Sequence, residues 1–237
     1  MKRFYIEKER VINNDWTIKE SEHNYLANVL RCKIGEEISV FCGDEYNYIC
    51  TIASIGKKET KLDFKEKIKN NKNPKMQIDI FQGLPKNEKL ELITQKANEL
   101  GASNIYTFES EFAMAKKNDN KTQRMNKIAI ESSKQCGRSD FVRVHDATNF
   151  NEMVKLLSNY DSVIFAYEKA ETEINELNFK GKIAIIIGSE GGFSEKEVEL
   201  MKDNGFTPIK ISNRILRTET ASIACLAYIA FSLGECL

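Results

Sequence analysis

The chain has 237 residues, 41% of them apolar and 30% charged, and its 35 basic and 35 acidic side chains cancel. That length allows one large domain or two small ones, either able to bury a core, and the cancelling charge excludes a global basic field as the means of finding nucleic acid. With no secretory n-region, long apolar run or lipidation signal, a cytoplasmic protein with no membrane partner is expected.

The charge is uneven along the chain. Residues 1–75 carry 15 basic and 12 acidic groups, so the N-terminal part is slightly basic. Cysteines stand at 32, 42, 50, 136, 225 and 236, without a Cys-x-x-Cys pair or a histidine at ligand spacing. Neither a metal nor a disulfide is expected, and the thiols read as buried packing groups.

In chain order, Phe4–Ile6, Glu37–Cys42, Asn47–Ile55 and Thr60–Phe64 are strand-like, with turns at Gly43-Asp44 and Gly56-Lys57. Ser21–Leu30 reads as one helix, with Arg31 and Lys33 just beyond. A small barrel with a basic rim is a platform for RNA, and a plain scaffold domain fits the same features. From Lys65 to Lys75 apolar periodicity stops and a proline intervenes, which places a domain boundary there: a β-barrel over 1–70, a linker over 71–75 and a second domain over 76–237.

Beyond Met76 strands and helices alternate. Gln77–Gly83 is a strand, and Pro85 leads into a helix with Leu90, Ile93, Ala97 and Leu100 on one face, closed by Gly101. On that helix Lys86, Lys89 and Lys96 read as solvent-facing. Strand Asn104–Phe108, helix Lys121–Gln135, strand Val142–Val144, helix Phe150–Leu157 and strand Ser162–Ala166 follow. This order predicts an α/β domain with a mostly parallel sheet covered on both faces, and ligands in such sheets gather at the carboxyl ends of strands.

Two stretches near the C-terminus organise the domain. Lys182–Phe193 is a β-branched strand breaking into Gly188-Ser-Glu-Gly-Gly, followed by a Ser194/Glu197 capping box and an Asn204-Gly205 stop. A short strand Pro208–Ile211 then leads to Ile215-Leu-Arg-Thr-Glu-Thr-Ala221 at the mouth of an apolar helix. The glycine turn lacks the spacing of a dinucleotide or phosphate loop, and Glu190 within it would repel a pyrophosphate. A neutral nucleoside or a sulfonium suits it better. The loops after Ala166, Ile187 and Ile211 are therefore the candidate pocket. For both stretches a ligand-free turn and a simple Thr218 cap are the plain alternatives. Arg217, a lone arginine between apolar segments, calls for a polar or anionic partner.

A basic region runs from Lys116 to Arg143, with eight basic residues, among them Lys116, Arg124 and Arg138, against three acidic ones. It could hold phosphates or be a solvated helix face. Arg138 follows Gly137 in a loop, where its fork can meet a base edge or a phosphate.

Four segments in order, Gln95-Lys-Ala-Asn-Glu-Leu-Gly101, Glu131 through Gln135 to Arg138, Ile187-Gly-Ser-Glu-Gly-Gly-Phe-Ser194 and Ile215-Leu-Arg-Thr-Glu-Thr-Ala221, resemble the RsmE family of bacterial small-subunit ribosomal RNA uridine-N3 methyltransferases. His23 through Val29-Leu-Arg31 to Gly35, with the β-rich unit after it, is similar to the family's PUA-like domain. The resemblance implies a SPOUT domain, a parallel sheet with a C-terminal trefoil knot. It implies S-adenosyl-L-methionine as cofactor, a homodimer whose partner helps complete each site, and 16S rRNA in the small ribosomal subunit as substrate. Carried over by motif, Gly188, Ser189, Glu190 and Gly191, the loop at Ala166 and Tyr167, and Ile211, Leu216, Arg217 and Thr218 would line the cofactor pocket. Arg138 and Arg217 would position the base or stabilise developing charge, and Arg31, Lys116, Arg124 and Arg138 would contact RNA. The proton acceptor stays open among Glu219, Glu190 and water. Ser189 stands where the family usually has proline, Phe112 where arginine is usual, and Asp140-Phe-Val142 lacks a proline. A non-catalytic RNA-binding protein and a nucleotide-binding metabolic enzyme are the alternatives.

Overall fold

The structure, a computed structural model, describes residues 1–86, 88–113 and 119–235. The chain divides into two compact units, Met1–Asn73 with Ser133–Phe141, and Pro74–Ser132 with Val142–Leu237.

In the first unit the elements are β1 (Arg3–Tyr5), α1 (Lys8–Ile12), β2 (Thr17–Lys19), α2 (Glu20–Asn24) running into a π turn (Tyr25–Val29), β3 (Glu37–Phe41), β4 (Tyr46–Ile55) and β5 (Glu59–Lys69). They form one sheet in the order β1-β3-β4-β5-β2, antiparallel except for the parallel β1–β3 pair. Phe4, Ile18, Leu26, Ile38, Ile52 and Leu62 pack as its core, each contributing roughly 1.5–3 kcal/mol by leaving water. His23 is buried in this unit and its Nδ1 lies 2.8 Å from Thr60 Oγ1, a packing role.

Two sequence expectations change here. β5 continues through Lys69 instead of ending at Phe64, because Tyr46–Ile49 of the long β4 supplies backbone partners for Glu66–Lys69. Their side chains are exposed, so no apolar pattern marks this stretch. The expected single helix over Ser21–Leu30 is instead α2 followed by the π turn, and the short α1 and β2 were not expected at all.

The second unit holds β6 (Ile78–Gly83), α3 (Lys89–Glu99), β7 (Asn104–Glu109), most of α4 (Asp119–Cys136), β8 (Arg143–Asn149), α5 (Phe150–Leu156), β9 (Ser162–Ala166), β10 (Ile183–Ile187), α6 (Glu195–Asp203), β11 (Thr207–Ile209) and α7 (Thr218–Ser232). The sheet order is β11-β9-β10-β6-β7-β8 and every pairing is parallel. On one face Phe81, Phe108, Phe165, Ala184 and Ile186 pack against Phe150 and Met153 of α5 and Val198 and Met201 of α6. Helix α7 packs on β10, β6 and α3. Strand β8 runs longer than expected and β11 ends earlier, which leaves Ile211 in the loop beyond the strand. Among the described residues no helix is long and apolar enough to cross a membrane.

Candidate active site

Three neighbouring parallel strands decide where the site lies. β11, β9 and β10 are consecutive in the sheet, so their carboxyl ends and the loops that leave them stand side by side. The loop after β10 begins with Gly188. It turns back on itself, with the Gly192 amide donating to Ser189 O at 3.0 Å, and Gly192 adopts φ +70°. Ser194 then caps α6: its hydroxyl accepts from the Glu197 amide while Glu197 accepts from the Ser194 amide, the expected capping box.

A buried hydrogen-bond network fixes this loop to α7. The Thr218 hydroxyl donates to Gly188 O at 2.6 Å and accepts from Gln82 Nε2 at 2.9 Å. Ser222, one turn along α7, donates to Gln82 Oε1 at 2.5 Å. Gln82 is fully buried and also donates to the carbonyls of Gly83 and Gly188. Thr218 is therefore no simple cap: it is the first helical residue, and its hydroxyl ties the last helix to the glycine turn. Gly83 makes the approach possible, because a Cβ there would lie 2.6 Å from the Ser189 amide nitrogen.

Charge on the rim is organised by Lys89. Its Nζ lies 3.0 Å from Glu190 Oε1 and 3.5 Å from Glu219 Oε2. Glu190 also accepts from the Lys86 amide. Partial burial would raise the Glu190 carboxyl, but the Lys89 ammonium and the amide donors outweigh it and hold it below the usual carboxylate range. The Lys89 ammonium is raised, chiefly by its bond to Glu190. Lys89 was expected to face solvent, and the structure puts it half-buried on the wall of the site, since it stands in the first turn of α3 facing the glycine loop.

These loops enclose a cavity of about 440 Å³. Ala166, Tyr167, Gly188, Ser189, Glu190, Gly191, Ile211, Leu216, Arg217 and Thr218 all lie on its wall. Arg217 is exposed and occupies the N-cap position of α7 without a side-chain cap; its carbonyl accepts from the Ala221 amide at 2.8 Å, and its guanidinium has no hydrogen bond or ion pair among the described residues. Sequence reasoning missed Gln82, Gly83, Lys89 and Ser222. Only the Gln-Gly pair at the end of a strand offered a signal, a polar residue closing an apolar run.

The other candidates are dispersed. Arg138 is not on this wall. It is 3% exposed, and its fork closes on Asp140 with Nε–Oδ1 at 2.9 Å and Nη2–Oδ2 at 3.0 Å. The expectation that its fork is open to a base edge or phosphate is corrected: Gly137, at φ +91°, turns the chain so that Asp140 lies within reach. Arg124 pairs with Glu91 at 2.7 Å. Arg31 is exposed at φ +48° in the first unit. Lys116 lies outside the described residues. Five cysteines are described, none of them in a disulfide among the described residues, and four are buried. Burial pushes Cys42 and Cys50 up to about 12, which leaves them inert as nucleophiles at neutral pH.

Sequence profiles then identify the family. The RNA methyltransferase domain matches residues 71–230, and the RNA methyltransferase PUA domain matches residues 18–65. A relative from Buchnera aphidicola named ribosomal RNA small subunit methyltransferase E is 33% identical, over 98% of this chain and 94% of its own length. The chain belongs to the ribosomal RNA small subunit methyltransferase E family. Among solved structures, a Legionella pneumophila protein in complex with the bound cofactor SAM has TM-score 0.87 at 25% identity, over 98% of this chain and 97% of that one. A Neisseria gonorrhoeae family member bound to S-adenosyl methionine has TM-score 0.89 at 22% identity over 98% of each chain, a likeness of fold.

Proposed function

We propose that the 440 Å³ cavity binds S-adenosyl-L-methionine and that the protein methylates N3 of one uridine in 16S rRNA of the small ribosomal subunit. The observation that carries this reading is the convergence of ten residues, from three loops, on one wall. The residues fit the group: backbone amides and carbonyls of the glycine turn suit adenine and ribose, Ile187, Leu216 and Ala221 offer apolar contact, and an ionised Glu190 tolerates a sulfonium nearby. When bound, the cofactor supplies an electrophilic methyl group on that sulfonium.

The rest is the work of the chain. Loss of the N3 proton leaves an anion shared with the neighbouring carbonyl oxygens, and Arg217, always protonated, can hold that charge but cannot take the proton. Glu190, with its carboxyl lowered beside Lys89, is a poor proton acceptor. The Gln82–Thr218–Ser222 network keeps the glycine turn and the Arg217 corner in fixed register, which is what alignment of two reactants requires.

The proposal includes a homodimer. Tyr228 and Phe231 stay exposed on α7 while Cys225, Leu226 and Ile229 are buried, which leaves an apolar strip for a second copy. It also treats the trefoil knot as belonging to the fold.

The test is incubation with methyl-labelled cofactor and small subunits lacking their native methylation, followed by digestion to nucleosides. Label in N3-methyluridine at a single position is the expected result. Label in another nucleoside would keep the family activity and discard the N3 assignment; no label, with cofactor bound, would discard the enzyme.

A further inference from the structure

A second cavity, of about 380 Å³, opens wholly within the first unit and shares no residue with the site above. Its wall is aromatic. Trp16 and Phe64 lie nearly parallel, with ring centroids 4.8 Å apart and 13° between planes, and Tyr48 leans across both at 5.4 and 6.3 Å. Phe64 remains 43% exposed at the end of the strand segment that buries Leu62.

The charge beside these rings is set by a backbone irregularity. In a regular strand Phe64 would share its face with Glu66. Here Cys50 faces Phe64, Ile49 faces Glu66 and Tyr48 faces Lys67, so β5 carries one extra residue at this point. Directly opposed residues share a face, and past this bulge Lys67 replaces Glu66 on the aromatic face. Lys8 of α1 adds a second cation to the wall. Lys65 and Lys69 are paired with Glu37 and Glu45, whereas Lys8 and Lys67 have no carboxylate partner among the described residues. Asp44 supplies the only carboxylate of the wall, and its oxygens already accept from the Tyr48 hydroxyl at 2.6 Å and the Tyr46 amide at 2.9 Å.

We propose that this cavity holds an unpaired nucleobase of the RNA substrate, ring against ring, with Lys8 and Lys67 directed to the flanking phosphates. The Lys67 ammonium lies 4.8 Å from the Tyr46 ring centroid, and open aromatic faces with cations beside them that no carboxylate neutralises are the features that grip single-stranded nucleic acid without reading its sequence. An apolar protein partner would have no use for a bulge that exchanges a carboxylate for an ammonium. The proposal rests on the reading of the protein as an RNA methyltransferase and adds a contact that shares no residue with the methyl-transfer cavity.

Trp16 is the chain's one tryptophan, so its emission reports this site alone. Full-length protein titrated with an unstructured oligoribonucleotide, hexauridylate or hexaadenylate, is expected to show saturable quenching. Phe64→Ala should weaken it about tenfold, the size of one lost stack, with Phe64→Tyr restoring it. Phe64→Leu, which keeps apolar bulk, guards against a folding defect and should fall with Phe64→Ala. Lys67→Ala should lower the salt slope by about 0.7. Affinity unchanged in Phe64→Leu and Lys67→Ala would overturn the proposal, as would an emission change on protein dilution alone, which would mean that a second copy covers the cavity. Methyl transfer to small subunits by the unaltered protein, measured alongside, separates the two readings: transfer without quenching sinks only this cavity, and quenching without transfer sinks only the enzyme.

Discussion

The residues that shape the methyl-transfer cavity divide into those that face the ligand and those that hold the facing residues still. Thr218→Val keeps size and removes a hydroxyl that both donates to Gly188 O and accepts from Gln82. Gln82 still reaches the carbonyls of Gly83 and Gly188, so what is lost is two hydrogen bonds at about 0.5–1.5 kcal/mol each, and cofactor affinity measured by calorimetry should fall while helix content holds. Gly83→Ala acts by a different route, forcing β6 off the Ser189 amide. Overpacking of this kind costs about 1–3 kcal/mol, and a melting temperature equal to that of the unaltered protein would show that the loop gives way at no cost. Arg217→Ala should cut the rate of transfer with little change in cofactor affinity, as suits a group acting on developing charge. His145 illustrates a residue outside the site. Its ring stacks on Tyr106 at 4.3 Å and bonds Asn104, and burial lowers it from the usual value near 6.5. The unfolded chain then binds the extra proton first, so stability present above about pH 6.5 is lost as pH falls through that value. Denaturant midpoints between pH 8 and 5 should show this slope, and His145→Gln should flatten it.

At the scale of elements, sheet order explains why three loops distant in sequence meet: β11, β9 and β10 are neighbours, and each ends on the same edge. The cavity motifs were legible in the sequence because they are local, with glycines and an arginine punctuating apolar runs. The Ser194/Glu197 box was legible for the same reason. Gln82 was not, because its meaning comes from Thr218 and Ser222, some 140 residues away, and the one local signal, a polar residue closing an apolar run before a glycine, marks a strand end without naming those partners. Lys89 was misread because a first-turn lysine on an amphipathic helix looks like any solvated cation until Glu190 and Glu219 are placed beside it. The second half of β5 escaped because edge-to-edge backbone pairing needs no apolar side chains. Glu197 tests how far an element reaches. Besides completing the cap of α6, its second oxygen accepts from the Glu111 amide at 2.9 Å. Glu197→Ala should therefore cost more than the ~1 kcal/mol of a lost cap, whereas Ser194→Ala should cost about that much, and equal losses in thermal unfolding would show that the Glu111 contact carries nothing.

For the molecule as a whole, the first unit is not a contiguous stretch of chain. Ser133–Phe141 belongs to it, and the ties are specific: the Arg3 fork donates to Gly137 O at 2.8 Å and Arg138 O at 2.7 Å, Asn70 donates to Gly137 O at 2.9 Å, and Asn73 donates to the Ser139 hydroxyl at 2.9 Å. Phe141 sets its ring edge-on to Tyr5 at 5.8 Å. Lys134 forms an ion pair with Glu22 in the same unit. A boundary drawn from composition alone, at the polar run before Met76, cannot see this, because the returning segment lies sixty residues downstream and carries no strand pattern of its own. A fragment of residues 1–73 would leave Arg3, Asn70 and Asn73 without these partners. At about 0.5–1.5 kcal/mol for each hydrogen bond lost, the deficit is a sizeable share of the ~5–15 kcal/mol that holds a domain together. The fragment alone should give poorly dispersed amide spectra and a broad thermal transition. Rejoining residues 133–141 through a glycine-serine linker should sharpen both. A fragment 1–73 that melts as cooperatively as the rejoined form would mean that the five-stranded sheet is sufficient, and that the Arg138 loop is a passenger on it instead of part of its structure.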